Sequence, residues 1–314
     1  MDYRHIQYAT EDDGTVATIT LDRPRQRNAQ HRGLLVELGD AFERAEQDDT
    51  VRVVILRGAG KAFSSGHDMG SQELIDEMTP GPTLHPTYLG HGGTRDGVEK
   101  TWMQEWHYFF TNTRRWRDLR KITIASVHGP VYSAGLMLMW ACDLIVADET
   151  AVFADVVGTR LGMCGVEYFA HPWEFGPRRA KELLLTGDSL SVDEAHRLGM
   201  VSKVFPEGTL EERTLELARR IAQVDTAAAL MIKESVNQTQ DNQGFYNSLQ
   251  SAFTLHQLNH ARWAVATDGR ALVRPPEASE AASWNRVLER KESLPTDANG
   301  DGPATLTHEE GTRE

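Results

Sequence analysis

The sequence has little cysteine, no long apolar run and an excess of acidic residues. Its two cysteines, Cys142 and Cys164, both lie in apolar surroundings, which excludes a disulfide framework and a cysteine-based zinc site. We therefore expect a reducing, cytoplasmic setting. The formal net charge of −13 argues against a nucleic acid or an anionic membrane as a partner of the whole surface.

The longest apolar run, near residues 134–147, is interrupted by Asp143 and is too short to span a bilayer. The first residues, MDYRHIQYATEDDG, contain acids and no apolar core of a signal peptide, so we expect no secretory signal. With 40% hydrophobic and 25% charged residues in 314, the composition is typical of a soluble globular protein with a substantial core.

Strand-like and helical patterns alternate through residue 205, and the pattern is helical from residue 209 onward. IQYAT and TVATITLDR flank an Asp-Gly turn and predict a hairpin, while residues 99–119 predict one aromatic-rich helix. We expect an α/β fold with a mostly parallel sheet over residues 1–205. A helical region follows over residues 206–290. Residues 291–314 lack aromatic residues, which predicts a disordered tail.

Two segments share one architecture, namely a strand, a turn of small residues and a helix. They are VVILRGAGKAFSSGHDMG and ITIASVHGPVYSAGLMLMW. Small residues let a ligand approach the backbone, and free N–H groups at a helix start favour negative charge. Either turn alone is an ordinary connection between a strand and a helix. Two such turns side by side would direct two N–H groups at one developing oxyanion.

Five segments, in this order along residues 5–270, resemble the enoyl-CoA hydratase/isomerase (crotonase) superfamily. They are LDRPRQRNA, KAFSSGHDM, HGPVYSAGLMLMWACDLIVAD, LLLTGDSLSVDEAHRLGMVSKVFP and MIKESVNQ. The resemblance implies a spiral of ββα units with a C-terminal helical region that supports homotrimers, often paired into hexamers. It also implies an acyl-CoA substrate, with no cofactor, no metal, no nucleic-acid partner and no membrane partner.

Members of this family hold the thioester oxygen in an oxyanion hole made of two backbone N–H groups. By position these are the N–H groups of His67 and Ala134, although the family more often has glycine where Ala134 stands. The imidazole of His67 is expected to be a wall or surface group. Removal of one such donor in other enzymes costs about 3–4 kcal/mol of transition-state stabilisation. The hole would therefore make the largest contribution to catalysis.

The resemblance also places the nucleotide end of CoA near a basic segment, where arginine side chains suit phosphates. A solvated basic loop is an equally good interpretation of any one of these arginines, which are Arg23, Arg25, Arg27 and Arg32. The residues expected to contact the substrate are Arg25, Arg27, Lys61, Ala62, Asp68, Met69, Gly135, Met137 and Val157.

The two glutamates that serve hydratases of the family are absent. Met137 and Val157 stand at their positions, and apolar side chains cannot relay protons. Glu167 is the preferred replacement, since related isomerases and dehalogenases carry an aspartate near this point; Asp155 is the alternative, with His171 and Glu174 in reserve. In an apolar pocket the pKa of Glu167 would be raised. Glu167 is as readily explained as a loop residue paired with an arginine.

The region between Asp68 and the ITIASVHG strand is longer than is usual in the family. It contains TPGPTLHPTYLGHGG and a run of aromatics that begins at Trp102 and ends at Phe110. We interpret it as a lid that shapes the acyl pocket, although some of these aromatics have the spacing of core residues.

Three functions remain open on the sequence. The first is an acyl-CoA enzyme in which Glu167 is the one acid–base group, which favours double-bond isomerisation over hydration. The second is a catalytically degenerate protein that binds CoA thioesters or acts as a scaffold. The third is hydrolysis or dehalogenation of a CoA ester, with a carboxylate as the nucleophile.

Overall fold

The first two strands form the hairpin that the sequence predicts. β1 (Ile6–Thr10) and β2 (Val16–Leu21) pair antiparallel around a turn in which Gly14 has a φ of +74°. Glycine adopts this φ without a Cβ clash, which is why Asp-Gly turns favour hairpins. The computed structural model of the chain describes residues 2–11, 13–78 and 98–266.

A six-stranded sheet continues from the hairpin in the order β1-β2-β3-β4-β6-β9, and all its further pairs are parallel. The added strands are β3 (Val53–Gly58), β4 (Ile122–Val127), β6 (Leu144–Asp148) and β9 (Lys203–Phe205). A second sheet joins β5 (Pro130–Tyr132), β7 (Val152–Ala154) and β8 (Leu190–Ser191), with β5 and β7 parallel. The single strand predicted over ITIASVHGPV is thus two strands in different sheets.

Helices connect the strands, as expected for an α/β fold. The helices up to the last strand are α1 (Arg32–Gln47), α2 (Gln72–Met78), α3 (Val98–Glu105), α4 (Asn112–Arg117), α5 (Ala134–Trp140), α6 (Val157–Leu161), α7 (His171–Phe175), α8 (Pro177–Thr186) and α9 (Val192–Leu198). The backbone N–H of Glu194 donates to the Ser191 hydroxyl (3.2 Å), which caps α9 at the predicted residue.

Within residues 206–266, three helices follow β9 and confirm the helical C-terminal region. They are α10 (Leu210–Ala222), α11 (Thr226–Asn242) and α12 (Phe245–Ala266). Within the described residues, no helix is both long enough and apolar enough to cross a membrane. The boundaries at residues 205 and 290 stay predictions, and the predicted tail over 291–314 lies outside the described residues.

The helix predicted over residues 99–119 is interrupted. α3 ends at Glu105, residues Trp106–Thr111 form a π-helical segment, and α4 resumes at Asn112. The extra residue per turn of a π segment changes which side chains face inward, and such segments are frequent at functional sites. The prediction from periodicity failed here because it assumes one constant helical period.

The central strands are buried on both faces, which is typical of parallel sheets. Alternate residues belong to two hydrophobic clusters, so that Val54 and Ala125 face one cluster while Ile55 and Ile124 face the other. The first cluster contains residues of α1 and α5, and the second contains residues of α10. The helical region therefore closes one face of the sheet.

Two of the family-like segments meet through a buried ion pair. Lys233 of α11 donates to the Asp143 carboxylate (3.0 Å) and to the carbonyl of Lys121 (2.9 Å). Asp143 also accepts hydrogen bonds from the backbone N–H and the hydroxyl of Thr123 (2.8 and 2.9 Å). The acid that closes the apolar α5 segment is thus a structural residue that fixes α11 to the sheet.

Candidate active site

The two turns of small residues lie against each other. The backbone N–H of Tyr132 donates to the carbonyl of Ser64 (3.0 Å), which pairs the first turn with β5. Gly66 has a φ of +90°, and a Cβ at this position would lie 2.7 Å from the carbonyl oxygen of Tyr132 and 3.1 Å from the backbone nitrogen of Ala134. Only glycine permits this approach without displacement of the backbone.

The backbone N–H groups of His67 and Ala134 are free of hydrogen bonds to any residue that the structure describes. Ala134 is the first residue of α5, where an N–H has no acceptor within the helix. The polar groups on either side are already paired. The carbonyl of Gly66 accepts from the backbone N–H of Gln30 (2.8 Å), and the N–H of Asp68 donates to the carbonyl of Gln30 (2.9 Å). Two donors therefore remain available at the junction of the turns.

Gln30 holds the two turns together, a role that no pattern in the sequence indicates. Its side-chain amide donates to the carbonyl of Ala134 (2.9 Å) and approaches the Ser64 hydroxyl (3.4 Å), while its backbone pairs with the first turn. At the start of α5, Ser133 has a φ of +47° and a ψ of −116°. A serine in this strained conformation is of the kind that clusters at functional sites, where the surrounding structure holds it.

Glu167 is buried beside the first turn and pairs with His67. The His67 Nε2 lies 2.9 Å from both carboxylate oxygens, and Glu167 is 2% exposed. The ring of Phe109, from the π-helical segment, lies with its centroid 4.0 Å from that of the His67 imidazole. The imidazole is therefore a partner of the candidate acid–base group rather than a mere wall.

The expectation of a raised pKa for Glu167 is wrong. Burial alone would raise it, but the charge and hydrogen bond of His67 outweigh that effect and lower the pKa of Glu167. In the same way burial works against the charged form of His67, while Glu167 raises the pKa of His67 above its usual value. The pocket around Glu167 is polar, which its apolar sequence neighbours do not reveal.

Further polar residues continue from Glu167 toward α12. The Nε2 of His256 lies 3.8 Å from Glu167 and 3.4 Å from Glu105, and the Nε2 of His260 lies 3.0 Å from Glu105. Burial opposes the charge on His256, whereas its interactions with Cys164 and Glu105 and the charge of Glu167 raise its pKa well above the usual value. The sequence analysis did not predict these residues. The four-residue spacing of the two histidines could have indicated that they share a helix face.

Asp155, the alternative to Glu167, is fully buried in a different arrangement. One carboxylate oxygen lies 2.9 Å from the His171 Nε2, and the other accepts the backbone N–H of Val157 (3.2 Å). It therefore orders the start of α6 and a buried histidine. Burial raises the pKa of the half-buried Glu174, the other reserve, to about 8.

Apolar side chains that pack in the protein interior occupy the positions of the absent glutamates. Met137 is 1% exposed and belongs to the main hydrophobic cluster, and Val157 is the half-buried first residue of α6. A Cβ at Gly135 would lie 2.4 Å from the carbonyl oxygen of Ser64, so this glycine also serves the contact between the turns. Ala62 is buried and Met69 is half-buried along the first turn.

The four arginines of the basic segment divide into two kinds. Arg23 pairs with Asp68 (2.8 Å) inside the protein, and Arg32 donates to the carbonyl of Glu77 (3.2 Å) and to the side chain of Gln104. Both are buried, so they act in the structure and are not the exposed phosphate partners that the sequence suggested.

The remaining cations are accessible. Arg25 and Lys61 are exposed and Arg27 is half-buried. A Cβ at Gly60 would lie 2.7 Å from the Cβ of Pro24, so the loop that carries Lys61 is in contact with the turn that carries Arg25. Asp68 is held by Arg23 and by the backbone N–H of Ser71 (2.8 Å), and its role as a substrate contact stays a prediction.

A family model described as enoyl-CoA hydratase/isomerase matches residues 11–85 and 94–262. "Putative enoyl-CoA hydratase EchA13" from Mycobacterium tuberculosis (strain ATCC 25618 / H37Rv) is 67% identical over 269 residues, which cover 86% of this chain and 85% of that protein. The chain belongs to the enoyl-CoA hydratase/isomerase family. The resemblance inferred from five short segments is confirmed.

Two further relatives are named for different reactions, one a hydratase and one an isomerase. A crystal structure of a "probable ENOYL-COA Hydratase" from Mycobacterium smegmatis matches with a TM-score of 0.74 and 41% identity, and covers 85% of this chain and 98% of its own. The 1,2-epoxyphenylacetyl-CoA isomerase of Escherichia coli (strain K12) is 30% identical over 72% of this chain and 80% of its own. The α/β crotonase-type fold and the assignment to acyl-CoA enzymes of this family are thereby confirmed.

Proposed function

We propose that this enzyme stabilises the enolate of an acyl-CoA thioester with the backbone N–H groups of His67 and Ala134 and transfers protons through Glu167. The observation that carries the proposal is the contact of the two turns at Gly66, which leaves these two N–H groups unbonded side by side. Preorganised donors of this kind are worth several kcal/mol because they need no reorganisation when charge develops.

The reaction that fits one carboxylate is a double-bond isomerisation. The carboxylate of Glu167 removes the α-proton of a 3-enoyl thioester, and the electrons of the broken C–H bond form the enolate. The thioester oxygen, which gains the negative charge, accepts hydrogen bonds from the two N–H groups. The same carboxyl group then returns its proton to the γ-carbon, which moves the double bond into conjugation. A single acid–base group is sufficient because the proton is removed at the α-carbon and returned at the γ-carbon, and one carboxylate can reach both ends of this three-carbon unit.

His67 supports the proposed reaction twice. Its backbone N–H is one donor of the hole, and its imidazole donates to Glu167 (2.9 Å), so one residue fixes the carboxylate relative to the enolate oxygen. Phe109 packs on the imidazole and limits its movement. Of the region proposed as a lid, residues 79–97 lie outside the described residues. In its aromatic run, Tyr108 and Phe110 are buried in the main hydrophobic cluster, and Trp106 and Phe109 pack against that cluster.

Hydration needs a group that holds the attacking water in addition to the proton-transfer group. The two family positions for such groups carry Met137 and Val157, which favours isomerisation over hydration. We further propose that Arg25, Arg27 and Lys61 bind the phosphates of CoA, since they are the accessible cations of the basic segment.

We also propose that the chain forms a homotrimer or hexamer through its C-terminal helices. Large apolar side chains on α11 are left exposed, among them Met231 (66%), Ile232 (62%) and Val236 (64%). Contiguous exposed apolar surface is typical of interfaces between protein chains. A second copy of this chain is the partner that fits, because the helical region of the family supports trimers.

The test of the proposed reaction is incubation of the purified enzyme with a panel of 2-enoyl, 3-enoyl and dienoyl-CoA thioesters, followed by mass and ultraviolet detection. Isomerisation leaves the mass unchanged and changes the absorbance of the conjugated thioester. A gain of one water would show hydration and contradict the preference for isomerisation. Tight binding of CoA thioesters with no reaction in any of them would favour the degenerate binding protein.

A further inference from the structure

A cluster of metal-ligating side chains lies next to the candidate active site, on α12 and α3. His256 and His260 are one helical turn apart on α12, and Glu105 ends α3 opposite them. One ligand atom from each of these three residues lies within 4.8 Å of the other two. Histidines at this spacing project from one helix face and can bind the same ion.

The separations within the cluster match those around a bound ion. The two Nε2 atoms are 3.1 Å apart, and Glu105 oxygens lie 3.0 Å from the His260 Nε2 and 3.4 Å from the His256 Nε2. Ligand atoms held at about 2.0–2.2 Å from one zinc ion are roughly 3–3.5 Å from one another. The three groups are therefore close enough to bind one ion together.

The surrounding hydrogen bonds orient these groups in the way that metal ligands are oriented. The Nδ1 of His256 lies 2.9 Å from the carbonyl oxygen of Gly165, so the Nδ1–H donates there and the Nε2 faces the cluster, where a metal ion would take the place of its proton. The amide of Gln257 donates to Glu105 (2.6 Å) and orients its carboxylate. Such outer contacts are a regular part of histidine–carboxylate metal sites.

We propose that Glu105, His256 and His260 form a binding site for a divalent transition-metal ion of the zinc class. Two imidazoles and one carboxylate favour zinc-like ions over magnesium and calcium, which prefer oxygen ligands. Three protein ligands leave a coordination position open to a water or to an oxygen of the acyl group. The proposal does not rest on the proposed isomerisation, although His256 also lies 3.8 Å from Glu167, and it departs from the sequence-based expectation of no metal.

The test uses full-length enzyme purified without a histidine tag and treated with a chelator. Zinc is titrated calorimetrically, and bound metal is counted by elemental analysis after dialysis. Cobalt, which reports its ligands through visible absorption, is added in a parallel experiment. We expect one tightly bound ion per chain, with His260→Gln and Glu105→Gln each weakening the binding at least 100-fold.

Two kinds of comparison separate a built site from surface binding. Gln257→Leu, which removes only the orientation of Glu105, should weaken zinc binding about 10–100-fold. His128→Gln, at a half-buried histidine outside the cluster, and Glu99→Gln, at an exposed glutamate near the other end of α3, should leave the affinity unchanged. Circular dichroism melting curves verify that each variant is folded.

Absence of stoichiometric zinc binding in the wild-type enzyme would overturn the proposal. So would binding that His260→Gln and Glu105→Gln leave unaltered, since other histidines would then hold the ion. In either case the cluster is an ion-pair network alone. Neither result bears on the isomerisation, whose test measures turnover of thioesters.

Discussion

The Nε2 of His67 lies 2.9 Å from both oxygens of Glu167, and the backbone N–H of the same histidine is one of the two free donors at the junction of the turns. One residue thus links the site where negative charge would develop to the carboxylate that would move the proton. The distance between the two functions is fixed by a single side chain and by the β-bridge that Gln30 makes with His67.

Replacement of Glu167 by glutamine should lower turnover by about 10²–10⁴-fold, the range that a general acid–base group contributes. The affinity for the CoA thioester should change little, because the amide retains the size of the carboxyl and the hydrogen bond with His67. Steady-state kinetics and calorimetric binding measure the two effects separately. Glu182→Gln, on the exposed face of α8, is the matched control with unaltered turnover. Unchanged turnover in Glu167→Gln would remove this residue from the mechanism.

Gly66→Ala should abolish most turnover while the protein remains folded. The added Cβ would meet the Tyr132 carbonyl and the Ala134 nitrogen, so the turns must separate and the two N–H groups diverge. We expect a loss of about 10²–10³-fold in kcat, similar to the removal of one oxyanion donor. Gly39→Ala is the control, since nothing lies within 4 Å of a Cβ there. That change should stabilise α1 by about 0.5–1 kcal/mol. Full activity in Gly66→Ala would contradict the proposed hole.

Lys233→Met should destabilise the fold by about 3–5 kcal/mol, because it leaves the largely buried Asp143 without its cation. Burial already raises the pKa of Asp143 despite the opposing charge of Lys233. A raised pKa in the folded state means that ionisation opposes folding. The cost of the variant should therefore grow as the pH rises through this pKa and shrink at acid pH.

Chemical denaturation of Lys233→Met at several pH values measures that dependence. The double variant Lys233→Met/Asp143→Asn, in which no unpaired charge remains, should recover part of the lost free energy of unfolding. A cost below 1 kcal/mol at neutral pH would show that the ion pair contributes little to the attachment of α11.

Val236→Asp should shift the protein toward monomers, because a charge in the middle of an apolar interface is left desolvated and unpaired. Light scattering coupled to size-exclusion chromatography gives the mass of the assembly. Gln238→Asp adds the same charge at a neighbouring exposed position and should leave the assembly intact. If both variants keep the mass of the wild type, the α11 surface is not the interface.

Much of the fold was predictable because local sequence patterns determine its strands and helices. The hairpin, the buried strands β3 and β4 and the amphipathic α1 follow from apolar spacing, and the capping of α9 follows from Ser191. The π-helical segment was missed, since its altered period is set by tertiary packing rather than by propensity. The break at Gly129 between β4 and β5 was likewise hidden inside one β-like run.

The site was predictable only in part. Small residues before a helix indicated the two turns, and a family resemblance put His67 and Ala134 at their junction. The polar partners of Glu167 could not be predicted, because His256 and Glu105 come from helices that are distant in sequence and meet only in the fold. The same applies to Arg23 and Arg32, whose burial no local signal reveals.

The most direct test of the proposed enolate chemistry is mass spectrometry of a 3-enoyl-CoA thioester incubated with the enzyme in D₂O. We predict conversion to the conjugated isomer with at most one solvent deuterium, which enters at the γ-carbon only where the Glu167 carboxyl exchanges its proton before returning it, and loss of the conversion in Glu167→Gln. Addition of a whole D₂O would contradict one-base isomerisation, and deuterium incorporation that persists in Glu167→Gln would contradict the role of this carboxylate.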